Sequence, residues 1–464
     1  MDGPIVQTAS GAVQGRWRGR SAAFLGIPFA AAPVGPLRYQ APAPVTPWGE
    51  VREATRFGPT PQRRPLAPVT TIPEPSVPGE DILNVSVFTP APGEPERRLP
   101  VLVWIHGGGF LAGSPASPWY DGASFNRDGV VTASISYRLG FDGFGWLEDA
   151  PVNRGVLDMI AALEWVRENI AAFGGDPAAV TIGGQSAGGS AVLALLSCPR
   201  AQHLFRAAIC QSAPGRTVWP AAAQRIGNDL ATTAGVAPTQ AGWSGVSEDT
   251  VLDLQSRYGL RPPIDPADPV ELVRGVLFGQ DYGLAFAPVV DGDLLPFPVE
   301  EALTQGISAA KPPLIGATAH AFNLALAGAR AELADVDVVA VLAAAGLPAD
   351  AAAEYVRAHP ELTEPAFQLS QIITDHLFRL ALLRVVDARS QNAGSLTWIY
   401  DFRWRSPLRG LSTHCIDLPF IWDLLDAEGV ARSLGESYHI GASNTVYTGP
   451  ENPSYVQLPI VPAK

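Results

Sequence analysis

The chain has 464 residues, enough for one large α/β domain with insertions or for two or three ordinary domains, and its 47% hydrophobic and 17% charged content predicts a packed core rather than disorder. A formal net charge of −13 argues against a nucleic-acid backbone or an anionic membrane as partner. Three cysteines, Cys198, Cys210 and Cys415, form an odd and sparse set that predicts reduced, buried thiols rather than a disulfide framework.

The opening MDGPIVQTASG carries no basic stretch followed by an apolar one, so a cytoplasmic protein is expected. A proline-dense, aperiodic stretch over 59–79 is expected to be an ordered surface loop near a pocket mouth. Apolar runs bounded by Gly and Pro at 101–106, 130–137, 180–184, 207–211, 312–317 and 395–400 predict buried strands of a largely parallel sheet. Between the second and third, Val156, Met159, Ile160, Leu163, Val166 and Ile170 recur at helical spacing before Gly174 and Gly175, so a right-handed strand–helix–strand crossover is expected. Residues 216–285 and 324–392 have a helical pattern and are read as insertions capping the C-terminal edge of the sheet within one domain spanning 1–464. The longest apolar runs, such as VDVVAVLAAAGL at 336–347, fall short of the ~20 residues a membrane-crossing helix requires. No repeat of fixed period is present.

Two stretches carry chemistry. VTIGGQSAGGSAVLALL predicts a strand, a cramped turn through Gly184-Gln185-Ser186-Ala187-Gly188, and a helix. Small residues two before and two after the serine permit the turn, which lifts the Ser186 hydroxyl above the sheet at a helix N-terminus. Upstream, His106-Gly107-Gly108-Gly109-Phe110 ends an apolar strand with three consecutive glycines, whose bare N–H groups can point at a developing oxyanion together with that of Ala187.

In a strand–turn–helix nucleophile of this kind, an acid and then a histidine follow the serine in the chain. Of His320, His359, His376, His414 and His439, the second and third fall in helical insertions and the last in a polar tail. His414, in RGLSTHCIDLPFIW, follows the strand SLTWIYDF by about ten residues on a loop where a base can reach back over the sheet, and it is the expected general base.

These blocks, with FLGIPFAAAPVGPLRYQAP, EDILNVSVFTP, FRAAICQSA, FAPVVDGDLLP and GLSTHCIDLPF, resemble the type-B carboxylesterases, the cholinesterase-like branch of the α/β-hydrolases, over most of the chain. The resemblance implies an α/β-hydrolase fold with a mostly parallel central sheet and helices on both faces. It implies ester hydrolysis through an acyl-serine intermediate, with Ser186 as nucleophile, His414 as base, and Gly108, Gly109 and Ala187 as oxyanion hole. No metal or organic cofactor follows from it, and a small ester is the implied partner.

The chain departs from the family pattern in four places. Gln185 stands where many relatives carry Glu, which removes a negative charge that would attract cationic substrates. Ile82 replaces a cysteine that secreted members use in a disulfide. The acid, expected five residues past Gly316, falls on Ala321, and no Asp or Glu occurs between Glu301 and Glu332. Asp417 matches a carboxylate the family keeps in addition, expected in a supporting role beside Gln185, with duty as a replacement acid left open. Last, 437–464 lacks the periodicity of the long terminal helix and strand usual in the family, which predicts a monomer or weak homodimer. The expectation is therefore a serine carboxylesterase for uncharged esters whose triad lacks its acid; the competing reading is a catalytically silent binding protein on the same scaffold.

Overall fold

Continuous apolar strands have to be covered on both faces, and a central parallel sheet between helices does this. A computed structural model describes residues 3–65, 70–215, 218–258, 268–278 and 284–435, together with the strand pairing of 461–462. In chain order the strands are β1 (Ile5–Thr8), β2 (Gly11–Gln14), β3 (Arg16–Arg18), β4 (Ser21–Pro28), β5 (Arg52–Glu53), β6 (Asn84–Thr89), β7 (Leu99–Ile105), β8 (Val131–Ile135), β9 (Gly175–Gln185), β10 (Ala207–Gln211), β11 (Pro313–Thr318), β12 (Trp398–Phe402) and β13 (Val461–Pro462). β1, β2 and β5 form a small separate sheet, and the other ten form one sheet in the order β13-β12-β11-β10-β9-β7-β8-β6-β4-β3. The run from β8 through β7, β9, β10 and β11 to β12 is parallel. Antiparallel pairs close both flanks. All six expected strands are present and sit side by side in that parallel run.

The expected crossover helix spans Arg154–Asn169 and buries Val156, Met159, Ile160, Leu163 and Val166. It tightens into a 3₁₀ turn over Ile170–Phe173 and stops at Gly174, whose φ of 81° is left-handed and suits a residue without a Cβ. The helix after the serine, Ala187–Ser197, is buried along its whole length, which fits its apolar composition on every face.

Two details differ from the expected pattern. The last parallel strand begins at Trp398 rather than near 395, because the buried Arg389 guanidinium donates to Thr397 Oγ1 (2.9 Å) and to the Leu396 carbonyl (3.3 Å), holding those residues outside the ladder. β4 and β6 lie outside the six expected strands. β6 buries Asn84, Ser86 and Thr89, and β4 has a bulge between Phe24 and Ile27, where Gly26 N donates to Ser86 Oγ at 3.2 Å.

Residues 216–285 and 324–392 are largely helical where described: Pro220–Ala234, Gln240–Trp243, Glu248–Gln255 and Pro269–Phe278 in the first, Val338–Ala345, Ala349–Ala358, Pro365–Thr374 and Leu380–Ser390 in the second. A π-type turn over Asp375–Arg379 joins the last two. The two segments touch, Arg274 Nη2 donating to the Ala344 carbonyl at 2.9 Å. Among the described residues no helix is long and apolar enough to cross a membrane. Of the atypical tail 437–464, only Val461–Pro462, paired with β12, lies within the described residues, and His439 lies outside them.

Candidate active site

Ser186 sits where β9 turns into the helix Ala187–Ser197, with φ 58° and ψ −126°. A non-glycine residue is rarely held there, and the turn survives because its surroundings fix it. Ser186 N donates to Gln211 O on β10 (2.8 Å), and Ser190 N donates to Ser186 O (2.9 Å). The flanking glycines are required by space: a Cβ on Gly184 would lie 2.4 Å from Gly188 O, and one on Gly188 would lie 2.1 Å from Ile105 O. Four of the eight described non-glycine residues with positive φ, Phe110, Ser186, Ser212 and Cys415, surround this site, as expected where strain is tied to function.

The three glycines end β7 beside the serine. A Cβ on Gly107 would stand 3.2 Å from Ser186 Cβ, so the glycine backbone can pass directly against the nucleophile. Gly108 has φ 116° and Gly109 has φ 64°, and a Cβ on Gly108 would overlap the Ala112 carbonyl oxygen at 2.2 Å. Among the described residues, no acceptor takes the N–H groups of Gly108, Gly109 or Ala187, so all three are free for a ligand oxygen. His106 belongs to the scaffold. It is buried and stacked on Tyr137 with ring centroids 4.6 Å apart, and burial pushes its imidazole down to about 4. The 59–79 loop packs on the end of this turn: Gly113 N donates to Glu74 Oε2 (3.1 Å), Ser114 Oγ donates to Pro75 O (2.7 Å), and Arg63 holds Glu74 in place. Leu284, near the end of the helical segment 216–285, stands 3.5 Å from where a Gly109 Cβ would be.

His414, the expected base, approaches from the other side. The loop after β11 and the loop carrying His414 are joined by backbone: His320 N donates to Ser412 O (3.0 Å), Ser412 N donates to His320 Nδ1 (3.1 Å), and His414 N donates to Ala321 O (2.9 Å). Position 321 is therefore fastened to position 414, and its buried side chain is a methyl group. The His414 ring lies against Phe322 (5.1 Å) and Phe378 (4.9 Å). Its Nε2 is 3.1 Å from Gln185 Nε2, and its Nδ1 is buried with no hydrogen-bond partner. Burial alone pushes the imidazole down to about 4, with no carboxylate raising it.

Asp417 is also buried, and burial raises its carboxyl to about 6 against the pull of hydrogen bonds from its own and the Leu418 backbone, Tyr400 and Gln211. Its Oδ2 accepts from Gln211 Nε2 (3.0 Å) and from Tyr400 OH (3.3 Å). Asp417 thus braces Gln211, whose backbone carbonyl accepts from Ser186 N, and its side-chain hydrogen bonds go to Gln211 and Tyr400 rather than to His414. Gln211 and Tyr400 were not singled out from the sequence, although each lies in a predicted strand. Phe322 and Phe378, the walls of the imidazole pocket, left no sequence signal beyond their apolar character. Of the other histidines, His320 serves as a backbone lock, and His359, just past the helix Ala349–Ala358, has its Nδ1 2.9 Å from the Tyr355 carbonyl in that helix.

The sequence pattern of the Carboxylesterase family matches residues 2–432. The chain belongs to the carboxylesterase family. It is 36% identical over 447 residues to the para-nitrobenzyl esterase of Bacillus subtilis, covering 92% of this chain and 84% of that one. Carboxylesterase 1D of Mus musculus is 31% identical over 435 residues, covering 87% of this chain and 76% of its own. The crystal structure of the Geobacillus stearothermophilus carboxylesterase EST55 at pH 6.2 superposes with a TM-score of 0.75 at 33% identity, over 92% of this chain and 85% of that one. This family member accordingly has the α/β-hydrolase fold expected from its motifs, and its family hydrolyses carboxylic esters.

Proposed function

We propose that this carboxylesterase-family protein hydrolyses uncharged carboxylic esters through an acyl-serine intermediate, with a triad that has lost its acid. Ser186 attacks the ester carbonyl, the N–H groups of Gly108, Gly109 and Ala187 hold the tetrahedral oxyanion, and His414 takes the serine proton and returns it to the leaving alcohol. Water then repeats the sequence on the acyl-serine. The observation that carries the reading is the conjunction of a strained serine at a helix N-terminus with three unclaimed N–H groups beside it.

The methyl group at Ala321 and the unpartnered Nδ1 of His414 support the missing acid. A carboxylate there would keep the imidazole in one tautomer and stabilise the imidazolium formed during attack. Without it catalysis persists at reduced rate through the nucleophile and the oxyanion hole. Gln185 in place of an acidic residue leaves no charge to attract a cationic alcohol group, which favours neutral esters. The helical segments over 216–285 and 324–392 act as the cap, since Leu284 and Phe378 bring one from each against the site. Buried free cysteines at 198, 210 and 415 suit a reducing, cytoplasmic setting.

Fluorophosphonate labelling followed by peptide mapping tests the assignment. The expected result is a single adduct on Ser186 together with slow turnover of p-nitrophenyl esters. An unlabelled serine in the folded protein would favour a silent binding scaffold instead.

A further inference from the structure

We propose that Gln185 is a positioning residue that sets the tautomer of His414 from the opposite side of the ring to the one a triad carboxylate would use. The proposal rests on His414 being the base. A neutral imidazole carries one proton on one of two nitrogens, and only the tautomer with Nε2 bare can accept a proton from Ser186. An acid at Nδ1 would select that tautomer by accepting Nδ1–H, but Nδ1 has no partner. The Gln185 amide nitrogen lies 3.1 Å from Nε2, and an amide nitrogen only donates. The contact requires a lone pair on Nε2 and so drives the proton to Nδ1, the arrangement the base needs.

The ring has little freedom to escape this choice. Phe322 and Phe378 lie against it, and its backbone N–H is fixed to the Ala321 carbonyl. Burial disfavours the doubly protonated ring, so the open variable is which nitrogen holds the single proton. The cost of the device is that the working lone pair is engaged at rest, and the amide has to release it as Ser186 attacks. A carboxylate at position 185 would act in the opposite sense, since it accepts and would draw the proton onto Nε2 unless a second carboxylate competed for it at Nδ1. Gln185 and Ala321 are therefore coupled: the amide is needed because the acid is absent.

The test reads the tautomer directly. The full chain is labelled with ¹⁵N-histidine, and the ring nitrogens of His414 are assigned by their disappearance in His414→Gln. The expected spectrum has a protonated Nδ1 and a bare Nε2. Gln185→Met should mix the two tautomers, and Gln185→Glu, nearly equal in shape, should place the proton on Nε2. A bare Nδ1 in the unsubstituted protein would mean that the amide presents its oxygen to the ring and would overturn the proposal, as would a tautomer unchanged in both variants. Kinetics supply the second arm: Gln185→Glu should lower kcat about 10-fold or more with KM within about 2-fold, yet cost less than about 2-fold when Ala321→Glu is also present. Equal penalties in the two backgrounds would overturn the coupling. Loss of fluorophosphonate labelling at Ser186 in the unsubstituted protein would refute the hydrolase reading on its own, while the tautomer measurement still judges Gln185.

Discussion

The two halves of the candidate site are finished to different degrees. On the nucleophile side, the strained Ser186 is held by the Gln211 carbonyl, Gln211 is braced by Asp417, and the glycine turn is held by Glu74 and Pro75. On the base side, the backbone is equally well tied, through His320, Ser412 and Ala321, but the imidazole it carries has a bare face at Nδ1. The contrast shows that positioning a catalytic group and activating it are separate tasks. On the proposed reading, the chain retains the first on both sides and lacks a carboxylate for the second on one.

The comparison can be broken most severely on the intact side. Ser186→Ala removes the attacking oxygen and should bring p-nitrophenyl acetate hydrolysis down to the buffer rate; a variant as fast as its parent would move the nucleophile elsewhere. Gly108→Val places a side chain where a Cβ already meets Ala112 O at 2.2 Å, so it should disturb the oxyanion hole and lower kcat by about 10²–10³-fold. Circular dichroism separates that loss from unfolding.

The base side offers the opposite experiment. Ala321→Glu should raise kcat/KM for an activated ester by at least ~10²-fold, mainly in kcat, because the carboxylate acts as the imidazolium forms. His320→Glu, one residue earlier, should give no such gain and should weaken the loop, since His320 Nδ1 accepts from Ser412 N. A rate within a factor of about two in a folded Ala321→Glu protein would show that another group already does the work.

The smallest effect is a shift in pH dependence. Burial holds the His414 imidazole down at about 4, so with His414 as the proposed base kcat/KM should keep its acid limb near pH 4. A carboxylate installed at 321 favours the charged ring and raises that value, moving the limb upward; initial-rate profiles of the two proteins would show the displacement.

Much of this was legible in the sequence for reasons that are local. Gly184, Gly188 and Gly108 are dictated by backbone contacts no side chain could survive, so the elbow and the glycine turn announce themselves. The relation of Ala321 to His414 was implied by the family resemblance alone, and it is made by backbone pairing between two loops that leave neighbouring strands. What could not be read depends on side chains arriving from distant segments. Phe378 reaches the ring from the π-type turn, and nothing in its own segment marks it. Nor does a glutamine next to a serine reveal that its amide touches a histidine 229 positions later. β6 escaped because its buried Asn84, Ser86 and Thr89 are polar, their partners lying on other segments.

The backbone bonds that fasten residue 321 to residue 414 also bear on how the protein could change over generations. On the proposed reading, position 321 stays fastened beside His414 without its acid, and an alanine codon ending in a purine lies one base change from a glutamate codon. A population selected for faster ester hydrolysis should therefore recover function repeatedly through this one position, before it gathers improvements scattered over the pocket.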